Sequence, residues 1–414
     1  MPCTTYRARW IAPVASPLIE NGHVVVDNGL VVSVERSTRP HPAAVDLGDA
    51  VVLPGLVNAH THLELTVCHR SIPYRGSFAD WIADLVSANP HRGSGEVLEH
   101  SVRDGFKQSL SAGVTALADI GHGRPVLQAW SQAPLHTVGF LEVLGMAAVF
   151  KQITAGERSV AAAAALCGET PLLRIGIAPH APYTTDAAMY REAIEFATRT
   201  GRPICTHLAE TREEGQFLAD GTGPLRDFLE RWNLWDGSFD PPGCSPVEYA
   251  HRLGLLACGP LLAHVNYVTD ADLELLAGTG SSVAYCPRTH RFFGHEPHRF
   301  RDMLARGINV CIGTDSLASN DTLSVLDELR FLAASDPALS PSQLLAMGTL
   351  AGARALGFQD QIGSLSPGKR ADMVAVALDQ ATTGEPIGDL LSSAAPPAAV
   401  YLGGERLPDE GPFK

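Results

Sequence analysis

The sequence predicts an α/β protein: a (β/α)8 TIM barrel with a small β-sandwich built from both chain termini. Three observations carry that expectation. Eight short apolar runs alternate with segments long enough for helices, those runs end in polar residues able to do chemistry, and both chain ends read as β-strand.

In chain order, residues 24–26 and 31–34 are short β-branched runs around Asp27-Asn28-Gly29, a hairpin signal. The eight barrel strands are read at residues 51–59, 114–120, 137–144, 174–178, 203–206, 261–263, 282–285 and 309–313. Helices are expected between them, for example at 78–88, 96–112, 186–200 and 322–334. The unbroken apolar character of the strands suits a parallel sheet covered on both faces. Residues 236–246 read as a loop between the fifth and sixth strands. Residues 372–376 and 400–402 are further strands, with Gly403-Gly404 as a turn. Each terminal set is too short to bury a core alone, so the two are expected to pair. Residues 1–53 and 361–414 then form the sandwich, and 54–360 the barrel.

Composition narrows the function. Forty-five acidic residues against 31 basic ones give a formal charge of −14 over 414 residues, which argues against a nucleic-acid partner. Charged residues are 18% and apolar ones 45%, enough for a large core. No run approaches the ~18 apolar residues of a membrane helix, and the first residues lack the order of a signal peptide, so no membrane partner and a cytoplasmic location are expected. The eight cysteines (Cys3, Cys68, Cys167, Cys205, Cys244, Cys258, Cys286 and Cys311) form no CxxC pair and read as buried free thiols in a reducing compartment.

In such a barrel, chemistry sits at the C-terminal ends of the strands. The first strand ends in Asn58-Ala59-His60-Thr61-His62, whose two histidines at i and i+2 share one side of an extended segment. The fourth ends in Pro179-His180-Ala181-Pro182, the fifth in His207-Leu208-Ala209-Glu210, the sixth in His264 and the eighth in Asp315. One histidine at a strand end is ordinarily a hydrogen-bonded core residue, and Asp315 could cap the following helix. Five strand ends delivering ligand-type residues together argue for a site. Imidazoles and a carboxylate suit Zn2+ or Fe2+ with one position left for water. His60, His62, His207 and Asp315 are the expected metal ligands. His264 and Glu210 remain for proton transfer, and His180 for orienting substrate.

At these residues the chain resembles the amidohydrolase superfamily, in particular its mononuclear aminohydrolase branch of deaminases and chlorohydrolases. The matching runs are residues 54–62 (PGLVNAHTH), 178–184 (APHAPYT), 207–211 (HLAET), 262–264 (LAH), 313–316 (GTDS) and 363–373 (GSLSPGKRADM). No lysine occupies the fourth-strand position where dinuclear members carry a bridging one, so the resemblance implies a single metal. It further implies a homodimer, a small-molecule substrate and hydrolytic release of ammonia from an amidine-type carbon. In that chemistry Asp315 and His264 take the proton of the attacking water, and Glu210 protonates the ring nitrogen and then helps ammonia leave.

The run His62-Leu63-Glu64-Leu65-Thr66 followed by Phe78-Ala79-Asp80-Trp81 resembles bacterial 6-aminodeoxyfutalosine deaminases of the futalosine route to menaquinone. The benzoate of that substrate would suit an arginine, either Arg70 or Arg288. Phe78 and Trp81 either pack substrate or pack helix against barrel. Arg288 is equally placed for a structural ion pair, and Glu142 for a sugar hydroxyl or a neighbour. The alternatives are deamination of S-adenosylhomocysteine, methylthioadenosine or adenosine, then guanine, cytosine or triazine substrates, then cyclic-amide or dipeptide hydrolysis, then a scaffold without turnover. The run 288–298, with His290, His295 and His298, reads as a lid with surface histidines rather than a second metal site.

Overall fold

The structure is a computed structural model that describes residues 3–36, 43–88, 95–145, 165–166, 168–235, 237–378 and 385–408. Its N-terminal strands are β1 (Thr4–Ile11), β2 (Ile19–Asp27), β3 (Leu30–Arg36), β4 (Val45–Asp46) and β5 (Ala50–Pro54). There follow β6 (Leu56–Thr61), β7 (Val114–Gly121), β8 (His136–Val143) and β9 (Leu173–Pro179). Next are β10 (Cys205–Leu208), β11 (Leu261–His264), β12 (Ser282–Tyr285) and β13 (Asn309–Ile312). The chain closes with β14 (Met373–Ala377), β15 (Pro397–Leu402) and β16 (Glu405–Arg406). Two compact units emerge: Met1–Ala59 with Phe106–Leu117 and Thr322–Lys414, and His60–Gly105 with Ala118–Asp321.

In the first unit both chain ends share one sheet, in the order β16-β15-β14-β5-β1-β2-β3, with β4 paired to β1. The Asp27–Leu30 hairpin forms as its sequence demands, with Asn28 and Gly29 at φ 49° and 79°. Gly403 and Gly404, at φ 55° and 80°, turn β15 into β16 in the same way. Tyr6 on β1 and Tyr401 on β15 lie three ladder steps apart, about 14 Å on a flat sheet. Their rings meet edge to face at 5.1 Å, and the Tyr6 hydroxyl donates to the Gly404 carbonyl at 2.5 Å, so the sheet coils strongly over its own apolar face. The strand at 4–11, which alternation in TTYRARWI only weakly marks, was not among the expected elements and lies inside this sheet, between β5 and β2.

One expected strand is two. The run at 51–59 breaks at Gly55, with β5 pairing to β1 and β14 while β6 joins another sheet. A Cβ on Gly55 would lie 1.9 Å from Thr115 Oγ1, and its N–H donates to the Asp372 carbonyl, so the close approach admits only glycine and turns the chain there.

Strands β6-β7-β8-β9 form one four-stranded sheet and β10-β11-β12-β13 another. Pairing is parallel between β8 and β9 and throughout β10 to β13. A parallel bridge between Ile177 and Ile204 connects β9 to the lead-in of β10. The backbone N–H groups of Thr314 and Asp315, just past β13, donate to the His60 carbonyl in β6. The helices Phe78–Ala88, Gly95–Ser111, Ala187–Thr200 and Val325–Ser335 fall within a few residues of expectation, the third capped by Asp186 and the last by Ser324. Asp236 and Cys167 lie outside the described residues; the rest of the expected loop at 236–246 is irregular up to Ser245, which caps the helix Pro246–Arg252. No helix among the described residues is long and apolar enough to cross a membrane.

The cysteine expectation needs correction. Cys68, Cys205, Cys286 and Cys311 are buried free thiols, but Cys244 and Cys258 are half-buried and Cys3 is exposed, because they sit in a loop, at the end of the short 3-10 helix Leu255–Cys258 and at the chain start rather than on core-facing strand positions.

Candidate active site

Strand ends of the second unit bring the ionisable residues together. His60 is fully buried in β6, and its ring meets those of His62, His207 and His264 at centroid distances of 5.0–5.1 Å. Thr61 points the other way, as alternation requires, and its hydroxyl bonds the Ala118 carbonyl and Asp119 Oδ1. Asp119 also accepts from the Leu63 N–H and the Trp130 indole, so one buried carboxyl in β7 pins both sides of the His-Thr-His segment. Burial raises the Asp119 carboxyl to about 7.

His207 Nδ1 lies 3.0 Å from the His180 carbonyl, which can only accept, so the proton sits on Nδ1 and Nε2 is a bare lone pair. That lone pair faces His62 Nε2 at 3.1 Å. Asp315 Oδ1 lies 3.6 Å from His60 Nε2 and 3.9 Å from His62 Nε2. Ligands about 2.0–2.2 Å from a tetrahedral Zn2+ are roughly 3.3–3.6 Å from one another, and the separations of 3.1, 3.6 and 3.9 Å bracket that spacing. Two overlapping triads, His60–His62–His207 and His60–His264–Asp315, keep their ligand atoms within 4.8 Å of one another. Burial first, then the neighbouring imidazoles, lowers His62, and burial takes His207 to about 4, so their lone pairs are available at neutral pH. For Asp315 burial alone would raise the carboxyl, but contact with His60, His264 and His62 outweighs it and holds Asp315 below the usual carboxylate range. Asp315 Oδ2 accepts from the Ser319 hydroxyl, and Ser324 caps the helix that follows, so Asp315 is not that helix's cap.

Glu210 is buried, with Oε1 3.6 Å from His264 Nε2. Desolvation, then Asp315 and Glu214, pushes its carboxyl well above the ordinary range, the state of a group able to donate a proton. Glu214, which sequence reasoning missed, holds Glu210 in place. Its two oxygens accept the N–H groups of Ala209 and Glu210, while Thr211 caps the helix Arg212–Asp220 and accepts the Glu214 N–H. The Thr-x-x-Glu capping-box spacing was the available signal.

The ends of β6 to β9 carry a different set. His122, past β7, lies 3.6 Å from Glu142 and 3.8 Å from Glu64, and His180 Nε2 lies 4.0 Å from Glu142. Burial first, then Glu64, raises Glu142 to about 8. The Thr184 hydroxyl donates to the Ala181 carbonyl, so at the 2.6 Å contact His180 Nδ1 is the donor to Thr184 Oγ1 and Nε2 is left as an acceptor. His122 and Glu64 were missed, although His122 obeys the same strand-end rule.

The two candidate arginines converge on one acid. Arg70 Nε bonds Asp321 Oδ1 at 2.9 Å, and Arg288 bonds Asn320 and Asp321. Phe78 and Trp81 are buried against Phe293, so packing accounts for both. The expectation of a lid with surface histidines is corrected: His290 Nε2, His295 Nε2 and His298 Nδ1 are all buried, because Tyr285 and Phe293 pack over these rings. They form no third metal-type triad among the described residues.

The amidohydrolase family profile matches residues 51–407, which spans β6 to β13 and every residue of this site. The chain belongs to the amidohydrolase family. It is therefore a hydrolase of the class that acts on C–N bonds. This family member is 32% identical over 380 residues to the 5-methylthioadenosine/S-adenosylhomocysteine deaminase of Nitratidesulfovibrio vulgaris strain Miyazaki F, covering 87% of this chain and 80% of the relative. It is 30% identical over 339 residues to the aminodeoxyfutalosine deaminase of Deinococcus radiodurans, covering 78% and 77%. Its fold matches a Helicobacter pylori aminofutalosine deaminase in complex with methylthio-coformycin, with a TM-score of 0.85 at 24% identity over 98% and 100% of the two chains. It also matches a Xanthomonas campestris adenosine deaminase with bound zinc, with a TM-score of 0.81 at 24% identity over 97% and 92%.

Proposed function

We propose that this amidohydrolase is a metal-dependent deaminase of adenine-bearing nucleosides. The observation that carries the reading is Glu210: a buried carboxyl whose proton affinity burial raises, 3.6 Å from His264 and beside a cradle of imidazole lone pairs. Both named relatives act on nucleosides of this class, which supports it.

His60, His62, His207 and Asp315 would hold one divalent ion, Zn2+ or Fe2+, since both accept imidazole and carboxylate. When bound, such an ion supplies the Lewis acidity that makes water a nucleophile near neutral pH. Asp315 and His264 then receive the water proton. Glu210 would give its proton to the purine ring nitrogen, then take back the proton of the added hydroxyl as the carbonyl forms and the C–N bond breaks. The water proton held by Asp315 and His264 passes to the leaving amino group, which departs as ammonia. Glu142 and His180 Nε2, 4.0 Å apart, would both serve as partners for one substrate hydroxyl beside them. Arg288 and Arg70 flank Asp321 at the ends of β12 and β6, where an anionic substrate tail would find one net positive charge. Trp81 would act through the packing of its helix.

Within the class, 6-aminodeoxyfutalosine is the preferred substrate, on the His62–Thr66 run and the Deinococcus relative. The second reading, deamination of methylthioadenosine or S-adenosylhomocysteine, is favoured by the higher identity and longer coverage of the Nitratidesulfovibrio match. Ammonia release from metal-replete protein with each nucleoside in turn separates them. A substrate with kcat/KM at least about tenfold above the others settles the preference, and no release from any adenine nucleoside refutes the class.

We further infer that β6 to β13 close into the (β/α)8 barrel, supported by the Ile177–Ile204 bridge and the His60 carbonyl contacts. The coiling of the terminal sheet supports a sandwich of residues 1–53 and 361–414, which leaves 54–360 to the barrel. A cytoplasmic homodimer is the proposed working form.

A further inference from the structure

Residues 286–299, which follow β12, are stitched to the segment that follows β11. The Tyr267 hydroxyl bonds His295 Nδ1 at 3.1 Å, and Arg299 reaches the Val268 carbonyl and pairs with Asp270 at 2.6 Å. A third contact lands on the proton-transfer residue itself: His298 Nε2 lies 2.8 Å from the His264 carbonyl oxygen.

His264 needs such a tether. It and Val265 are consecutive non-glycine residues in the left-handed region, at φ 70° and 53°, a conformation that persists only where the surroundings enforce it. Strand β12 pairs with Leu261, Leu262 and Ala263 and stops one residue short of His264. The Val265 N–H is taken by the Leu208 and Ala263 carbonyls, and His298 supplies the donor for the His264 carbonyl.

The donor is itself tightly defined. A carbonyl only accepts, so the His298 proton sits on Nε2, leaving Nδ1 as a buried lone pair with no hydrogen-bond partner among the described residues. The ring stacks on Tyr285 at 4.0 Å and 25°, and Tyr285 stacks in turn on Phe300 at 5.2 Å and 20°. Burial pushes the imidazole down to about 3, so it stays neutral across the working pH range.

We propose that His298 is a positioning residue for His264, holding its strained backbone so that the His264 ring stays opposite Glu210. This rests on the reading in which His264 and Glu210 move protons, and extends it to a residue that touches neither substrate nor metal.

Two variants isolate the contact: His298→Phe keeps a ring for Tyr285 to stack on and removes the N–H, whereas His298→Gln keeps a donor. In the metal-replete enzyme H298F should lower deamination kcat on the order of 10- to 100-fold, with KM within about threefold. Metal content per chain should not change, and H298Q should recover most of the lost kcat. Wild-type kcat in H298F, a loss that tracks loss of metal, or a Gln variant no better than Phe would each overturn the proposal. Imidazole nitrogen NMR of the wild-type protein gives a second readout that needs no variant to fold and no substrate. It should show His298 as a fixed Nε2–H tautomer from about pH 5 to 9, and a His298 that titrates in that window contradicts it. A wild-type enzyme inactive on every adenine nucleoside would sink the reading of the site, and the tautomer measurement would then decide this contact alone.

Discussion

The ends of the two four-stranded sheets make unlike halves of one site. Past β10, β11 and β13 the backbone is strained at Ala209, His264, Val265 and Asp315, all with φ between 51° and 70°. Past β7, β8 and β9 the polar residues His122, Glu142 and His180 show no left-handed backbone, and their side chains face one another at 3.6–4.0 Å. Left-handed non-glycine backbone is costly and persists where geometry must be held closely. The contrast fits the proposed roles of Glu210 and His264 in proton transfer at the strained ends and of Glu142 and His180 in substrate binding at the relaxed ones. His60 and His62, in and just past β6, join the proposed metal cradle without such strain.

The sharpest way to break that contrast is Glu210→Gln, which preserves shape and removes the proton. Ammonia release should fall about 10²- to 10⁴-fold while metal content stays constant. Near-normal turnover would leave the strained half without its acid. Next in size, His207→Ala removes a donor whose partner lone pair lies 3.1 Å away, and elemental analysis should find most of the metal gone. Full occupancy in that variant would move the cradle elsewhere. Glu142→Gln tests the relaxed half: KM should rise about fivefold, the ~1 kcal/mol of one hydrogen bond between neutral groups, with kcat within about threefold. A fall in kcat at unchanged KM would put Glu142 among the reacting groups and erase the distinction.

The smallest effect is on stability. Glu142 keeps its proton to about pH 8 in the native state, whereas an unfolded chain releases it near the ordinary 4.5. The native state therefore binds more protons across that window, and wild-type stability falls as the pH rises through it. Glu142→Gln removes this slope, so its melting temperature should gain on wild type between about pH 5 and pH 8. A constant gap would mean that Glu142 ionises normally.

What could be read from the sequence divides along the same lines. His60, His62, His180, His207, His264 and Asp315 were legible because strand ends collect in one place in a parallel α/β sheet, so position along a strand stands in for position in space. The Asn28-Gly29 hairpin and the helix Phe78–Ala88 were legible from local chemistry alone. Glu214 and Asp119 were not singled out, because each looks like an ordinary acid in a helix or strand until its partners at Ala209, Glu210, Thr61 and Leu63 are seen. His298 meets the His264 carbonyl across 34 residues, and nothing local announces that contact. The break at Gly55 was hidden for the same reason, since the obstruction is Thr115.

The central claim is tested most directly by metal analysis coupled to turnover. Purified protein should carry about one zinc or iron per chain, lose adenine-nucleoside deamination when a chelator strips that ion, and regain it when either metal is restored. Undiminished ammonia release from protein shown to be metal-free would contradict it.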